Sequence, residues 1–182
     1  MNYQIKKWLP NILTLCRIVA GIFLLILFFT TNETTFFQVY LFSAIAVTDL
    51  LDGWLARKLK AISKWGQFLD PIADKVLLVG TFGYFYFLSV IHSWFFVLYT
   101  LRELVQVYFR IIVFAKNQTD NIPTLYVNKL KTALSYIYCI FLLLSRMVPA
   151  FRFDLFRPLN VFMELIILLL SYLGLFKLLF KK

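Results

Sequence analysis

The sequence predicts an all-α integral membrane protein with six transmembrane helices. Three observations predict it. Hydrophobic residues make up 62% of the 182 positions, with 21 Phe and 10 Tyr among them. Charged residues are 15%, where a soluble domain carries about 25%. The apolar residues also gather into six runs, each near the roughly 20 residues that a bilayer core requires. A soluble fold of this length has too little interior to hide so much apolar surface, whereas a bilayer solvates it. The length suits a single domain covering residues 1–182.

The runs follow in order. The first span is expected at Leu13–Thr30 and carries Arg17, so it is not uniformly lipid-facing. It has no small-residue cleavage site, which argues for a span and against a removable signal. The residues before it, 1–10, form an amphipathic start with Trp8 and two lysines, suited to lying along the cytosolic surface; a disordered tail is the alternative. The remaining spans are expected at Phe36–Ala56, Phe68–Leu88, Trp94–Ala115, Leu130–Met147 and Leu159–Leu179.

Charge orients them. The amino-terminal end, the loops after the second and fourth spans and the carboxy-terminal tail hold twelve Lys and Arg. The opposite side holds three, Arg146, Arg152 and Arg157, which pair with Asp154 or with lipid phosphate on this reading. The positive-inside rule then places both termini in the cytosol. The net charge of +10 is read as basic loops on anionic lipid. Nucleic-acid binding is excluded, because the basic groups line membrane boundaries and form no soluble module. Cys16 and Cys139 have no partner spacing and read as small apolar fillers. His92 reads as a surface histidine in a short outer loop. Asn32 and Asn117 open N-x-T triplets, of which only Asn32 faces outward.

The informative stretch is Asp49-x2-Asp52-Gly53-x2-Ala56-Arg57-x8-Gly66-x3-Asp70-x3-Asp74. It contains four of the nine acidic residues, in or at the ends of apolar segments where a carboxylate is costly. Asp49, Asp52, Gly53 and Ala56 share a helix face, as do Asp70 and Asp74. The lysine-rich segment between them turns the chain at the cytosolic surface, so two antiparallel helices can bring the carboxylates together. Four carboxylates repel unless a cation neutralises them, and hard divalent cations take oxygen ligands while leaving positions for phosphates. Gly53 and Ala56 remove bulk on that face, so a ligand can lie against the backbone. Arg57 can hydrogen-bond a phosphate through two N–H groups. A single Asp near a helix end is ordinarily a solvated cap, but four in this register with Gly, Ala and Arg between them have no such explanation.

This pattern resembles the signature of the CDP-alcohol phosphotransferases, membrane enzymes of phospholipid synthesis, at all eight positions. The resemblance implies six membrane helices with a polar cavity at the cytosolic side. It implies that Asp49, Asp52, Asp70 and Asp74 bind two divalent ions, Mg2+ or Mn2+. It implies a CDP pocket of Asp49, Asp52, Gly53, Ala56, Arg57 and Gly66, and Asp74 as general base. It also implies a homodimer, with CDP-diacylglycerol as the simplest donor.

Further segments resemble the branch that uses glycerol 3-phosphate as acceptor: Pro10-Asn11-x2-Thr14-x2-Arg17, Leu69 to Lys75, Arg102-Glu103 and Lys129-x-Lys131-Thr132. Branch members usually have Gly before that first lysine, where this chain has Asn128. The branch that uses phosphatidylglycerol shares much of the pattern. A phosphorylated acceptor suits the basic groups at membrane depth: Arg17, Lys75, Arg102 and Arg110, with Lys129 and Lys131 entering from the cytosolic edge. The structural alternatives are pairing of Arg102 with Glu103 or a motif aspartate, and snorkelling of Arg110 to the interface. A cation transporter would use the same carboxylates, but it leaves Gly53, Ala56, Arg57 and Gly66 without a role.

Overall fold

A computed structural model describes residues 3–31, 34–59, 64–115, 126–147 and 153–179. Within these, the chain forms six helices and no strand: α1 (Tyr3–Thr30), α2 (Phe36–Leu59), α3 (Lys64–Phe87), α4 (Ser93–Ala115), α5 (Tyr126–Met147) and α6 (Phe153–Leu179). Seven of the twelve expected span ends, Thr30, Phe36, Leu88, Trp94, Ala115, Met147 and Leu179, agree with the helix ends to within a residue. The other ends differ: α1 starts at Tyr3, α2 runs on to Leu59, α3 starts at Lys64, α5 at Tyr126 and α6 at Phe153. The amphipathic start is therefore continuous with the first span. Lys, Arg and Gln are good helix formers, so leaving the apolar stretch does not end a helix. The basic residues Lys60, Lys116, Arg152, Lys181 and Lys182, and the sequons' Asn32 and Asn117, lie outside the described residues.

The faces of the helices are inverted relative to a water-soluble bundle. On α1, Leu15, Val19, Ile22, Ile26 and Phe29 are exposed, while Arg17, Leu24 and Phe28 are buried. On α6, Leu159, Phe162, Leu165, Leu169 and Phe176 are exposed, while Asn160, Glu164 and Ser171 are buried. Both sets repeat at helical spacing of three and four residues. Apolar stripes this long belong against lipid, and intramembrane polar groups turn inward. Tyr126–Met147 and Phe156–Lys177 are each long and apolar enough to cross a membrane. The described residues are all-helical, and these features are consistent with a membrane protein.

By backbone contacts the chain falls into two units, Met1–Leu77 and Leu78–Lys182. In the first, α1 packs on α2 around Leu24, Phe28, Phe42 and Ile45. Leu77 packs over Gly21 of α1, its Cδ1 3.6 Å from where a Cβ would stand, an ordinary contact distance. The turn between α1 and α2 is tied by Thr35-x-x-Gln38, a capping box. Gln38 Oε1 accepts from Thr35 N at 2.9 Å, and Thr35 Oγ1 accepts from Gln38 N at 3.4 Å. Gln38 Nε2 then donates back to Thr31 Oγ1 at 2.6 Å, which joins the two helices.

In the second unit, α6 packs on both α4 and α5. Its core is aromatic: Phe82 meets Phe95 and Tyr99 edge-on with ring centres 5.2 and 4.9 Å apart, and Tyr138 lies 6.3 Å from Phe95. Edge-to-face pairs of this kind add to the area they bury. α3 ends in a Schellman turn, with Val90 N donating to Phe85 O and Ser89 N to Tyr86 O, both at 2.9 Å. Ser89 sits at φ 56°, the position where glycine is usual.

Candidate active site

α2 carries the stretch from Asp49 to Arg57, and α3 carries it from Gly66 to Asp74. Asp49, Asp52, Gly53 and Ala56 therefore stand at i, i+3, i+4 and i+7 of one helix, and Asp70 and Asp74 at i and i+4 of the next. The side chains of Asp49, Asp52, Ala56, Arg57, Asp70 and Arg110, and the surroundings of Gly53 and Gly66, lie outside what the structure describes. Asp74 is described. Its Oδ1 accepts from Arg17 Nη1 at 3.5 Å, and the side chains are 20% and 3% exposed. Arg17 thus turns away from lipid toward the last carboxylate of the pattern, a pairing that its placement in an apolar span requires. The donor set is chemically suited to a hard divalent cation, being all carboxylate oxygen. Among the described residues no group of three His, Cys, Asp or Glu comes together.

A second polar cluster occupies the interior between α4, α5 and α6. Arg102 is fully enclosed, at 2% exposure. Its Nε donates to Ser171 O at 2.9 Å, Nη1 to Glu103 Oε1 at 2.8 Å and to Gln106 Oε1, and Nη2 to Asn128 Oδ1 at 3.0 Å. Lys131 Nζ also donates to Glu103 Oε1, at 2.5 Å, and stands 5.0 Å from the centre of the Tyr99 ring. Arg102 and Lys131, both expected near the acceptor, share one buried carboxylate. Lys129, two residues earlier, is exposed. The pairing of Arg102 with Glu103, the structural alternative in the sequence, is what the side chains form.

Asn128 takes its place here by virtue of Gly174. A Cβ at Gly174 would overlap Asn128 Oδ1 and come within 3.4 Å of Arg102 Nη2. The asparagine therefore fits because α6 has no side chain opposite it, and its carbonyl gains the guanidinium. The expected result follows. Gly174→Ala drives the Asn128 amide off Arg102 and lowers the unfolding free energy by about 1–3 kcal/mol, the cost of a buried donor left unmet plus local overpacking. Adding Asn128→Gly removes the overlap and recovers much of that loss. Thermal unfolding in detergent of the two single variants and the double variant reads the coupling; strictly additive losses would disprove the contact.

His92 is not the loose surface group that its loop position suggested. Its backbone N and Nδ1 meet Glu164 Oε1 and Oε2 at 3.2 and 2.8 Å, and Tyr138 OH donates to Oε1 at 3.4 Å. Glu164 is 0% exposed. An acidic residue in the middle of the sixth apolar run was a legible sign of such a partner. Cys16 and Cys139 are both free thiols, the second buried, in keeping with their reading as fillers.

The chain matches the family model described as CDP-alcohol phosphatidyltransferase over residues 7–174. Relatives described as CDP-diacylglycerol–glycerol-3-phosphate 3-phosphatidyltransferases align with it. One from Cereibacter sphaeroides is 46% identical over 81 residues, covering 43% of this chain and 35% of that protein. One from Wigglesworthia glossinidia brevipalpis is 34% identical over 106 residues, covering 58% of this chain and 56% of that protein. One from Escherichia coli is 39% identical over 71 residues, covering 38% and 39%. The matched stretches span from about a third to a little over half of these relatives' length.

Proposed function

The chain belongs to the CDP-alcohol phosphatidyltransferase family, and from that premise we propose that it transfers the phosphatidyl group of CDP-diacylglycerol to glycerol 3-phosphate, giving phosphatidylglycerophosphate and CMP. The observation that carries this reading is the complete eight-position acidic pattern lying inside the family match. The names of the aligned relatives support the acceptor. We place the reaction in a bundle of six spans, as a homodimer, with both termini and a polar cavity on the cytosolic side. The uneven distribution of Lys and Arg supports that orientation.

The reaction is a substitution at phosphorus. The Asp74 carboxylate takes the proton of the acceptor hydroxyl. The freed oxygen bonds to the phosphorus that carries diacylglycerol. The bond from that phosphorus to the bridging diphosphate oxygen breaks, and CMP leaves with the oxygen. Members of the family generally use divalent metal ions; Asp49, Asp52, Asp70 and Asp74 would hold two, Mg2+ or Mn2+, which neutralise charge on the diphosphate. Arg57 takes a phosphate of the CDP group, and Gly53, Ala56 and Gly66 give it room against the backbone, alongside Asp49 and Asp52. Arg17, buried beside Asp74, orients that carboxylate and faces the incoming acceptor. Arg110 and the exposed Lys129 supply positive charge for the acceptor phosphate. Arg102 and Lys131 hold the start of α5, from which Lys129 projects. Such chemistry rests on positioning and charge neutralisation more than on covalent steps.

The test is CMP release by the purified protein with CDP-diacylglycerol and Mg2+, one acceptor at a time. Release with glycerol 3-phosphate, and not with phosphatidylglycerol, inositol 1-phosphate or serine, is the expected result. Release with phosphatidylglycerol alone would move the chain to the cardiolipin-forming branch. No release from folded protein with any acceptor would overturn the enzyme reading.

A further inference from the structure

A cavity of about 430 Å³ opens at the end of the second unit where α3 turns into α4, α5 ends and α6 begins. It is some 26 Å along α5 from Lys129, at a rise of about 1.5 Å per residue. Its wall includes the strained Ser89, then His92, Arg146, Arg157 and Asn160. None of these belongs to the acidic pattern or to the Arg102 cluster.

The polar groups here are unevenly matched. Among the described side chains no carboxylate pairs with Arg146 or Arg157, and both are exposed; that of Asp154, the other partner expected from sequence, lies outside them. Asn160 is 3% exposed, and its Oδ1 has no hydrogen-bond partner among the described residues. A buried amide carbonyl left unmet is costly. Glu164 does not relieve the arginines. It is fully buried, its two oxygens take His92 N, His92 Nδ1 and Tyr138 OH, and it does not line the cavity. The site therefore offers two cations and one orphan acceptor around a space within the usual size range of small-molecule pockets, roughly 300–1,000 Å³.

Depth selects the ligand. Arg146 lies in the last turn of α5, and Arg157 is the fifth residue of α6, just before the sixth apolar run begins at Leu159. Both stand at the same boundary of the apolar layer, where lipid phosphates lie. Leu144 and Leu159, beside them in sequence, are exposed at 44% and 41% as lipid-facing residues are. Three arginines on the sparsely charged side were the exception to the charge rule in the sequence, and anchoring of lipid phosphate accounts for two of them. We propose that this cavity binds the phosphodiester of a membrane phospholipid headgroup, with Arg146 and Arg157 pairing with the phosphate and Asn160 Oδ1 accepting from a headgroup hydroxyl or amine. The site rests on the membrane placement of α5 and α6 and is independent of the transferase reaction.

Native mass spectrometry of the full chain, released from detergent with added lipid, tests it. Three probes are compared: a phosphatidylglycerol, a diacylglycerol with the same chains and no phosphate, and free glycerol 3-phosphate. The expected result is a phosphatidylglycerol adduct whose apparent affinity falls at least tenfold in Arg146→Gln/Arg157→Gln and severalfold in Asn160→Leu. Diacylglycerol adducts are unchanged by either variant. Equal phosphatidylglycerol binding by wild type and double variant overturns the proposal. So does binding of free glycerol 3-phosphate that is lost in the double variant while lipid binding is kept, since the occupant is then a soluble phosphate ester. Retained helical circular dichroism and a single gel-filtration peak show that the variants fold. CMP release is read separately, so absence of turnover in the wild type counts against the transferase reading and leaves the lipid result standing.

Discussion

Asp74→Asn is expected to reduce CMP release by roughly a thousandfold or more while leaving the helical content intact. A positioned proton acceptor contributes about 10²–10⁴ in rate, and Asp74 is also one of the four carboxylates proposed to hold divalent ions, so its loss removes two contributions at once. Asparagine keeps the shape and a carbonyl for Arg17, whose Nη1 stands 3.5 Å from Asp74 Oδ1. The fold around Arg17 therefore keeps a hydrogen-bond partner, and lost activity reports chemistry. Asp70→Asn separates the two roles. It removes a proposed ion ligand while keeping the proposed base, so its defect is expected to be partly reversed by raised Mg2+, whereas that of Asp74→Asn is not. Turnover by Asp74→Asn within tenfold of wild type would move the base elsewhere. Turnover retained by Asp70→Asn, with altered ion flux, would instead favour transport through the same carboxylates.

Much of the architecture was readable because the bilayer imposes it. Six apolar runs give six helices, and the helix ends Thr30, Phe36, Phe87, Ser93 and Met147 lie within a residue of the expected span ends. At those ends the chain turns back within a few residues, and Thr35-x-x-Gln38 marks one such start by itself. The ends that overran were not readable from hydropathy, because α1, α2, α3 and α5 continue as helix through basic sequence that the apolar window excludes, and α6 starts six residues early, at Phe153. Arg17 was legible as inward-facing, since lipid offers it nothing, and it is buried beside Asp74. The partners of Arg102 were half legible. Glu103 and Gln106 follow from spacing on one helix, but Asn128, Lys131 and the carbonyl of Ser171 come from α5 and α6, and no local pattern announces a contact between helices. Asn128 is the instructive case. In sequence it is only a departure from an expected glycine; in the fold it is compensated by a glycine 46 residues later, Gly174.

Glu103→Ala is expected to cost about 3–5 kcal/mol, the largest stability loss of any single change considered. Glu103 Oε1 receives both Arg102 Nη1 at 2.8 Å and Lys131 Nζ at 2.5 Å, and the two cationic side chains are 1% and 4% exposed. Removing the carboxylate leaves two like charges enclosed together, and breaking a buried pair by deleting one partner has a cost of this order. At about 2–4 °C per kcal/mol for a chain of this length, the midpoint of unfolding in detergent falls by on the order of 10 °C. Glu103→Gln keeps an acceptor for one donor and loses the charge, so its drop is smaller but clear. Glu103→Ala with Lys131→Met removes one of the stranded cations and recovers part of the loss, although the Tyr99 ring then has no cation above it. The same series decides what Arg102 does. A residue that holds the network lowers the unfolding midpoint when changed to Lys, because an ammonium lacks the planar fork needed to reach Glu103, Asn128 and the Ser171 carbonyl together. A residue that touches the acceptor phosphate raises the KM for acceptor alone and leaves the midpoint in place. With every nitrogen of its guanidinium already engaged inside the protein, Arg102→Lys is expected to follow the first course, and a shift in acceptor KM without a shift in midpoint would overturn its positioning role.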